Sequence, residues 1–321
     1  MIELPFDHER LDLARRRGDP AADAILASAV PEPWRLTLAP PVWLDATRVL
    51  RAQRFAEKHL LHITLALFYA ALPTSYAAAR GAAVLAATGR MSHDLDLRIN
   101  ETAQFLLEVL KPYSLDEGGA TRALRQVRLV HARVRRGLQK SQPGNDLPIN
   151  QEDLLGTLFA FSVVVVRALR RLGVAVSDIE ADDYFHLWRG YGALLGIEEA
   201  LLPSNFATAE LGTDLIAERQ FAPSEAGRSL MAVLSERIAA HVPIPGSTSY
   251  LVRRLAGDRV ADVLGVASDQ SLREAFVKLA GLPMFGQLPF GQLLLSATPL
   301  VARPLLASIV RHKLAGSGAP G

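Results

Sequence analysis

In the segment ALRQVRLVHARVRRGLQK, Leu124, Val127, His131, Val134 and Leu138 recur at steps of three, four, three and four, so one helical face carries all five side chains. That face must be buried. A soluble amphipathic helix ordinarily has leucine where His131 stands. A buried imidazole needs a partner for each ring nitrogen. One candidate is a backbone carbonyl or carboxylate, the usual partner of a buried polar group; the other is a metal or a haem iron, which takes the neutral ring.

The rest of the chain is also built for helices. Alanine, leucine and arginine dominate, and alternating strand patterns are nearly absent. Ser114 with Glu117, Ser177 with Glu180, and Ser271 with Glu274 each have capping-box spacing, and Asn150 precedes a long apolar run that Gly173 ends. This predicts a helix over 151–172, with others over 44–72, 75–88, 95–110, 179–195, 223–241 and 271–280. The four valines from Val163 to Val166 suit a strand, but their run is too long for one. Prolines 31, 33, 40 and 41 mark an extended wrap. No linker forces a boundary, so the expectation is an all-α fold with a single large helical domain spanning 1–321.

Composition excludes several function classes. The 321 residues carry 35 Lys and Arg against 33 Asp and Glu, a formal +2, too balanced for nucleic-acid binding through a broad basic field. Local basic runs such as RVRRG read as solvated helix faces. With no cysteine there is no disulfide, thiolate metal site, cysteine nucleophile or covalently attached haem. The opening MIELPFDHERLDLARRRGDP lacks the apolar core of a secretory signal, which points to a cytoplasmic protein. The apolar stretches HLLHITLALFYAALP and LLGTLFAFSVVVV are too short or too interrupted for the roughly 20 residues of a membrane span. The apolar segment 284–314, broken by prolines and basic near its end, packs on the body or rests peripherally on a membrane surface.

Arg98, Glu101 and Thr102 share a helix side with Phe105 and Val109 in LRINETAQFLLEVL. If that side meets the His131 helix, an arginine, a carboxylate and a hydroxyl face an imidazole. The alternative is a charged first turn in water. Arg128, one turn before His131, is placed either to pair with a haem propionate or to be exposed. His59 and His62 share a face and read as two packed histidines. His93 and Asp94, near Asp96, have the form of the metal-binding pair in all-helical HD phosphohydrolases, a loose two-residue match. Asp178, Glu180, Asp182 and Asp183 open a helix, where carboxylates offset the macrodipole. No Walker loop, GxGxxG, GxSxG or HExxH is present.

The blocks GAAVLAATGR, RINETAQFLLEVL, VRLVHARVRR, LPINQEDLLGTLFAFSVVVVRALRRLGV and YFHLWRGYGALLGIEEALLP, in this order and spacing, resemble the domain shared by bacterial latex-clearing proteins (rubber oxygenases) and the fungal oxygenase of mycophenolic acid biosynthesis. The family-like core covers about 45–262. The resemblance implies an all-helical fold, globin-like in general character, with one non-covalent haem b in a pocket between helices. It implies His131 as proximal iron ligand, Arg128 as its companion, and Arg98 and Thr102 on the facing helix. Latex-clearing proteins carry a lysine just before that threonine, where this chain has Glu101, a candidate general base. The implied activity is oxidation or cleavage of an alkene by O2 in a pocket with Phe105, Phe159 and Phe161 among its apolar walls. The implied substrate is a small unsaturated isoprenoid or lipid-like molecule. The alternatives are a haem protein that senses or carries, and a metal-dependent phosphohydrolase using His93 and Asp94.

Overall fold

The computed structural model describes residues 4–28, 35–88, 95–141, 146–240 and 246–268, with the backbone alone at 95–100 and 141. The helices are α1 (His8–Ala14), α2 (Pro20–Ala27), α3 (Ala46–Lys58), α4 (Leu60–Ala66), a π turn (Leu67–Ala71), α5 (Leu72–Ala77), α6 (Ala79–Ala87), α7 (Leu95–Leu110), α8 (Gly119–Ser141), α9 (Gln151–Phe161), α10 (Val163–Arg171), α11 (Asp178–Leu194), α12 (Phe206–Gln220), α13 (Glu225–Ala239), α14 (Ser247–Ala256) and α15 (Asp258–Val263). Among the described residues there is no strand. Ala78 and Phe221 form one isolated antiparallel bridge. The expected all-α class is therefore observed.

Two groups of helices share one apolar core. Around the π turn pack α4, α5, α9, α10 and α14, with α13 lying on α5 and α6, while α8 is surrounded by α2, α7 and α11, with α3 lying on α7 and α11. The valines of α10 are all buried, as a core helix requires. Where the residues leading into α3 pack on α11, Gly190 leaves room for them: a Cβ there would lie 2.5 Å from the Leu44 side chain. Glycine within a helix costs about 1 kcal/mol relative to alanine, which the tight packing offsets.

Several predicted helices are divided. The helix expected over 44–72 starts at Ala46, capped by the Asp45 carboxylate, and breaks at His59 (φ −107°, ψ 17°). It then runs unbroken from Leu60 to Ala77, long and apolar enough by length and composition to cross a membrane, yet with 67% of that segment buried inside the protein, as in a core helix. Sequence reading treated this run as interrupted. The π turn explains the difference: the Leu72 N–H reaches back to the Leu67 carbonyl, so the helix widens where Pro73 lacks a donor and crowds the preceding turn. The helix expected over 151–172 breaks at Ser162 (φ −111°, ψ −76°), whose hydroxyl donates to the Leu158 carbonyl at 2.7 Å and competes with the helical ladder.

The boxes at Asn150 with Asp153 and at Ser177 with Glu180 are formed. Ser114 caps nothing. Tyr113, at φ +64°, turns the chain, and α8 begins only at Gly119. The buried Gln53 side chain takes the Tyr113 N–H at 3.1 Å, a tertiary contact that overrides the local signal. The segment 271–280, its Ser271 with Glu274, and the stretch 284–314 lie outside the described residues.

Candidate functional site

The site begins with the register of α8. Its buried residues are Ala120, Leu124, Leu129, Ala132 and Arg135, whereas Val127, His131, Val134 and Leu138 form a half-buried strip. The predicted stripe exists, rotated towards the edge of the core. Nδ1 of His131 is buried and has no hydrogen-bond partner. The ring is kept neutral: its pKa is pushed down to about 4, first by burial and then by the Arg135 cation, with Asp19 opposing in part. A neutral imidazole with a buried nitrogen that has no protein partner, on an apolar strip, has the chemistry an iron ligand needs. The residues present therefore fit an iron porphyrin, which takes a neutral imidazole and covers apolar surface.

Two arginines flank this ring. Arg128 forks onto Asp19, with Nε to Oδ2 at 2.5 Å and Nη2 to Oδ1 at 2.8 Å, and its Nη1 donates to the Leu194 carbonyl at 3.2 Å. Both faces of the fork thus have protein acceptors. Arg135, only 2% exposed, donates from Nη1 to Asp23 at 2.9 Å and from Nε and Nη2 to the Ile149 carbonyl at 3.2 and 2.9 Å. The RVRRG run is therefore not a wholly solvated face. Arg135, Asp19 and Asp23 escaped sequence reading because charge was equated with exposure; the available signal was Arg135 lying one turn beyond His131, seven residues after Arg128.

Helix α7 does pack on α8, as the sequence suggested. On it Leu106 and Val109 are buried, and Thr102 and Phe105 are half-buried. Glu101 is exposed, so it sits at the rim of that face and not among the core residues. Arg98 lies on the α7 backbone, and its side chain is outside the described residues. Phe159 packs beneath Gly212 of α12, while Phe161 stacks on Trp188 at 5.3 Å, so both belong to the common core.

The other constellations resolve structurally. His59 and His62 lie edge to face at 6.1 Å, both with lowered pKa from burial, and no cluster of three or more metal-ligating side chains occurs among the described residues. His93, Asp94 and the phosphohydrolase reading lie outside the described residues. Glu180 closes its capping box, and Asp183 holds Arg48 and Arg51, which keep its carboxyl below the usual range against the opposing effect of burial.

Residues 57–283 match the family described as ER-bound oxygenase mpaB/B′/Rubber oxygenase, catalytic domain. Over 192 residues the chain is 27% identical to the rubber oxygenase of Streptomyces sp. (strain K30), covering 56% of this chain and 46% of that protein. The match thus spans about half the length of that relative. The latex clearing protein LCP in its closed state superposes with a TM-score of 0.70 at 20% identity, covering 91% of this chain and 85% of that one, a likeness of fold.

Proposed function

The chain belongs to the ER-bound oxygenase mpaB/B′/rubber oxygenase catalytic-domain family, and from this we propose that it is a haem b-dependent oxygenase that uses O2 to oxidise or cleave the double bond of a small apolar, unsaturated, isoprenoid or lipid-like molecule. The observation carrying the reading is the neutral His131 ring with its unpartnered buried Nδ1. When bound, the haem would supply the iron at which O2 is activated.

This chain's residues supply the setting. His131 holds the group from α8, and the Arg128–Asp19 pair fixes the helix that carries it. Phe105 and the half-buried valines of α8 exclude water and favour an apolar substrate. Thr102 and Arg98 on α7 orient polar atoms of the reactants. Glu101, exposed at the rim where latex-clearing proteins carry lysine, acts as the base: its carboxylate accepts a proton from a carbon beside the substrate double bond and returns it to the product, so that none is lost.

The test is the absorption spectrum of protein purified after expression with haem supply. A Soret band is expected in the wild type and its loss in His131→Ala, with oxygen uptake on adding an alkene. A colourless wild type, or an unchanged band in His131→Ala, overturns the haem reading. A Soret band without oxygen uptake on any alkene leaves a carrier or sensor in place of an oxygenase.

A further inference from the structure

Both carboxylates that hold the arginines beside His131 come from the N-terminal segment, ahead of residue 57 where the family match begins. Asp19 is the N-cap of α2 and accepts the Ala22 N–H at 3.2 Å, while only 2% exposed. Arg128 and Arg135 stand seven residues apart, two helical turns on one side of α8, with His131 between them. Two charged rungs on one side fix both the roll of α8 and its position along α2.

The surrounding backbone is shaped to the rungs. Gly196, at φ +92°, leaves room that a Cβ would fill at 2.6 Å from Asp19 Oδ2 and 2.9 Å from Arg128 Nε. A Cβ on Gly18 would lie 2.8 Å from Arg135 Nε. The fully buried Gln151 side chain donates to the Gly18 carbonyl at 2.6 Å and to the Gly196 carbonyl at 2.9 Å, locking the segment beneath both arginines. Ile149 adopts φ +52°, rare for a β-branched residue, and its carbonyl accepts two Arg135 N–H groups.

We propose that Asp19 and Asp23 are positioning residues of the His131 site, so that the N-terminal segment is a working part of it. The proposal rests on the haem reading above. The carboxylates act through the arginines in two ways: they set the aim of the imidazole, and they cancel cationic charge beside the iron. Without Asp19, an uncompensated guanidinium three residues from His131 disfavours the more positive, oxidised iron and raises its reduction potential.

The test uses holoprotein carrying Asp19→Asn or Asp23→Asn, with Asp12→Asn as control. Asp12 lies in the same segment but pairs with Arg219, away from α8. Midpoint potential, the iron–histidine vibration and haem transfer to excess apomyoglobin are measured. Asp19→Asn is expected to raise the potential, shift the vibration and speed haem loss about tenfold, in line with losing a buried charge-assisted pair. Asp23→Asn should act in the same direction but less, and Asp12→Asn should match the wild type. Adding Arg128→Gln to Asp19→Asn removes the unpaired charge, so the potential should return while haem loss stays fast. Wild-type potential, vibration and haem loss in both Asp19→Asn and Asp23→Asn, with only thermal stability changed, overturn the proposal and leave the haem reading standing. A wild type without a Soret band overturns both. If Asp19→Asn does not fold, Asp23→Asn decides, because Asp23 is about a third exposed (32%) and its loss is tolerable.

Discussion

At the scale of single residues, two buried titrating groups impose opposite pH dependences. His131 is held neutral with a pKa of about 4, below the ordinary histidine value of 6.5. Below that ordinary value the unfolded chain takes a proton that the folded apoprotein refuses, so stability falls from pH 6.5 to 4 by on the order of 3 kcal/mol, then levels off. His131→Leu should flatten this loss in urea titrations of apoprotein, and a slope unchanged by the substitution would refute the assignment. Asp153 is the reverse case. Burial pushes its carboxyl up to about 7, against the N-terminal Asn150 amide that lowers it. The folded protein retains a proton that the unfolded chain releases near 3.8, so stability declines as pH rises from about 4 to 7. Asp153→Asn keeps an acceptor for the capping bond and should raise the melting temperature at pH 8 while leaving it unchanged near pH 4.

At the scale of elements, helix identity was legible wherever a 3.6-residue apolar period had few competitors. The expected ranges 95–110 and 179–195 differ from α7 and α11 by at most a residue at either end. Helix breaks were not legible. Ser162, His59 and Ala78 interrupt runs that read as continuous helix: the Ser162 hydroxyl donates to the Leu158 carbonyl, and Ala78 bridges to the distant Phe221. Gly173 and Gly196 illustrate the same divide. Both take positive φ after a helix, but only Gly196 also lies against a buried ion pair. Gly196→Ala is therefore expected to destabilise by about 2 kcal/mol or more, through left-handed backbone strain plus displacement of Asp19. Gly173→Ala, with nothing near its Cβ, should show the backbone strain alone. Chemical denaturation midpoints of the two variants separate these contributions.

At the scale of the whole molecule, the N-terminal segment ties distant helices together. Asp12 and Glu152 share Arg219, Asp19 takes Arg128, and the Arg15 and Arg17 carbonyls accept the Leu147 and Gln151 N–H groups. Deleting residues 1–28 strands Arg128 without its carboxylate, and breaking one buried pair typically costs about 3–5 kcal/mol against a total stability of about 5–15 kcal/mol. With the other ties lost as well, the truncated chain should lose its cooperative urea transition while keeping much of its far-ultraviolet helical signal. A full-strength cooperative transition would show the segment to be dispensable.

The chain's own order of residues determined the all-α class, the apolar stripe along α8 and the anomaly at His131, because each follows from the period of a single helix, whereas the rotation of that stripe towards the edge of the core was decided by packing. Tertiary structure decided what surrounds that histidine. Arg135 and Arg128 have the composition of solvated groups, and only the arrival of Asp19 and Asp23 from more than a hundred residues away makes their burial tolerable. Periodicity reports which way a side chain points, whereas its charge partner and its share of water are settled by elements that local sequence does not contain.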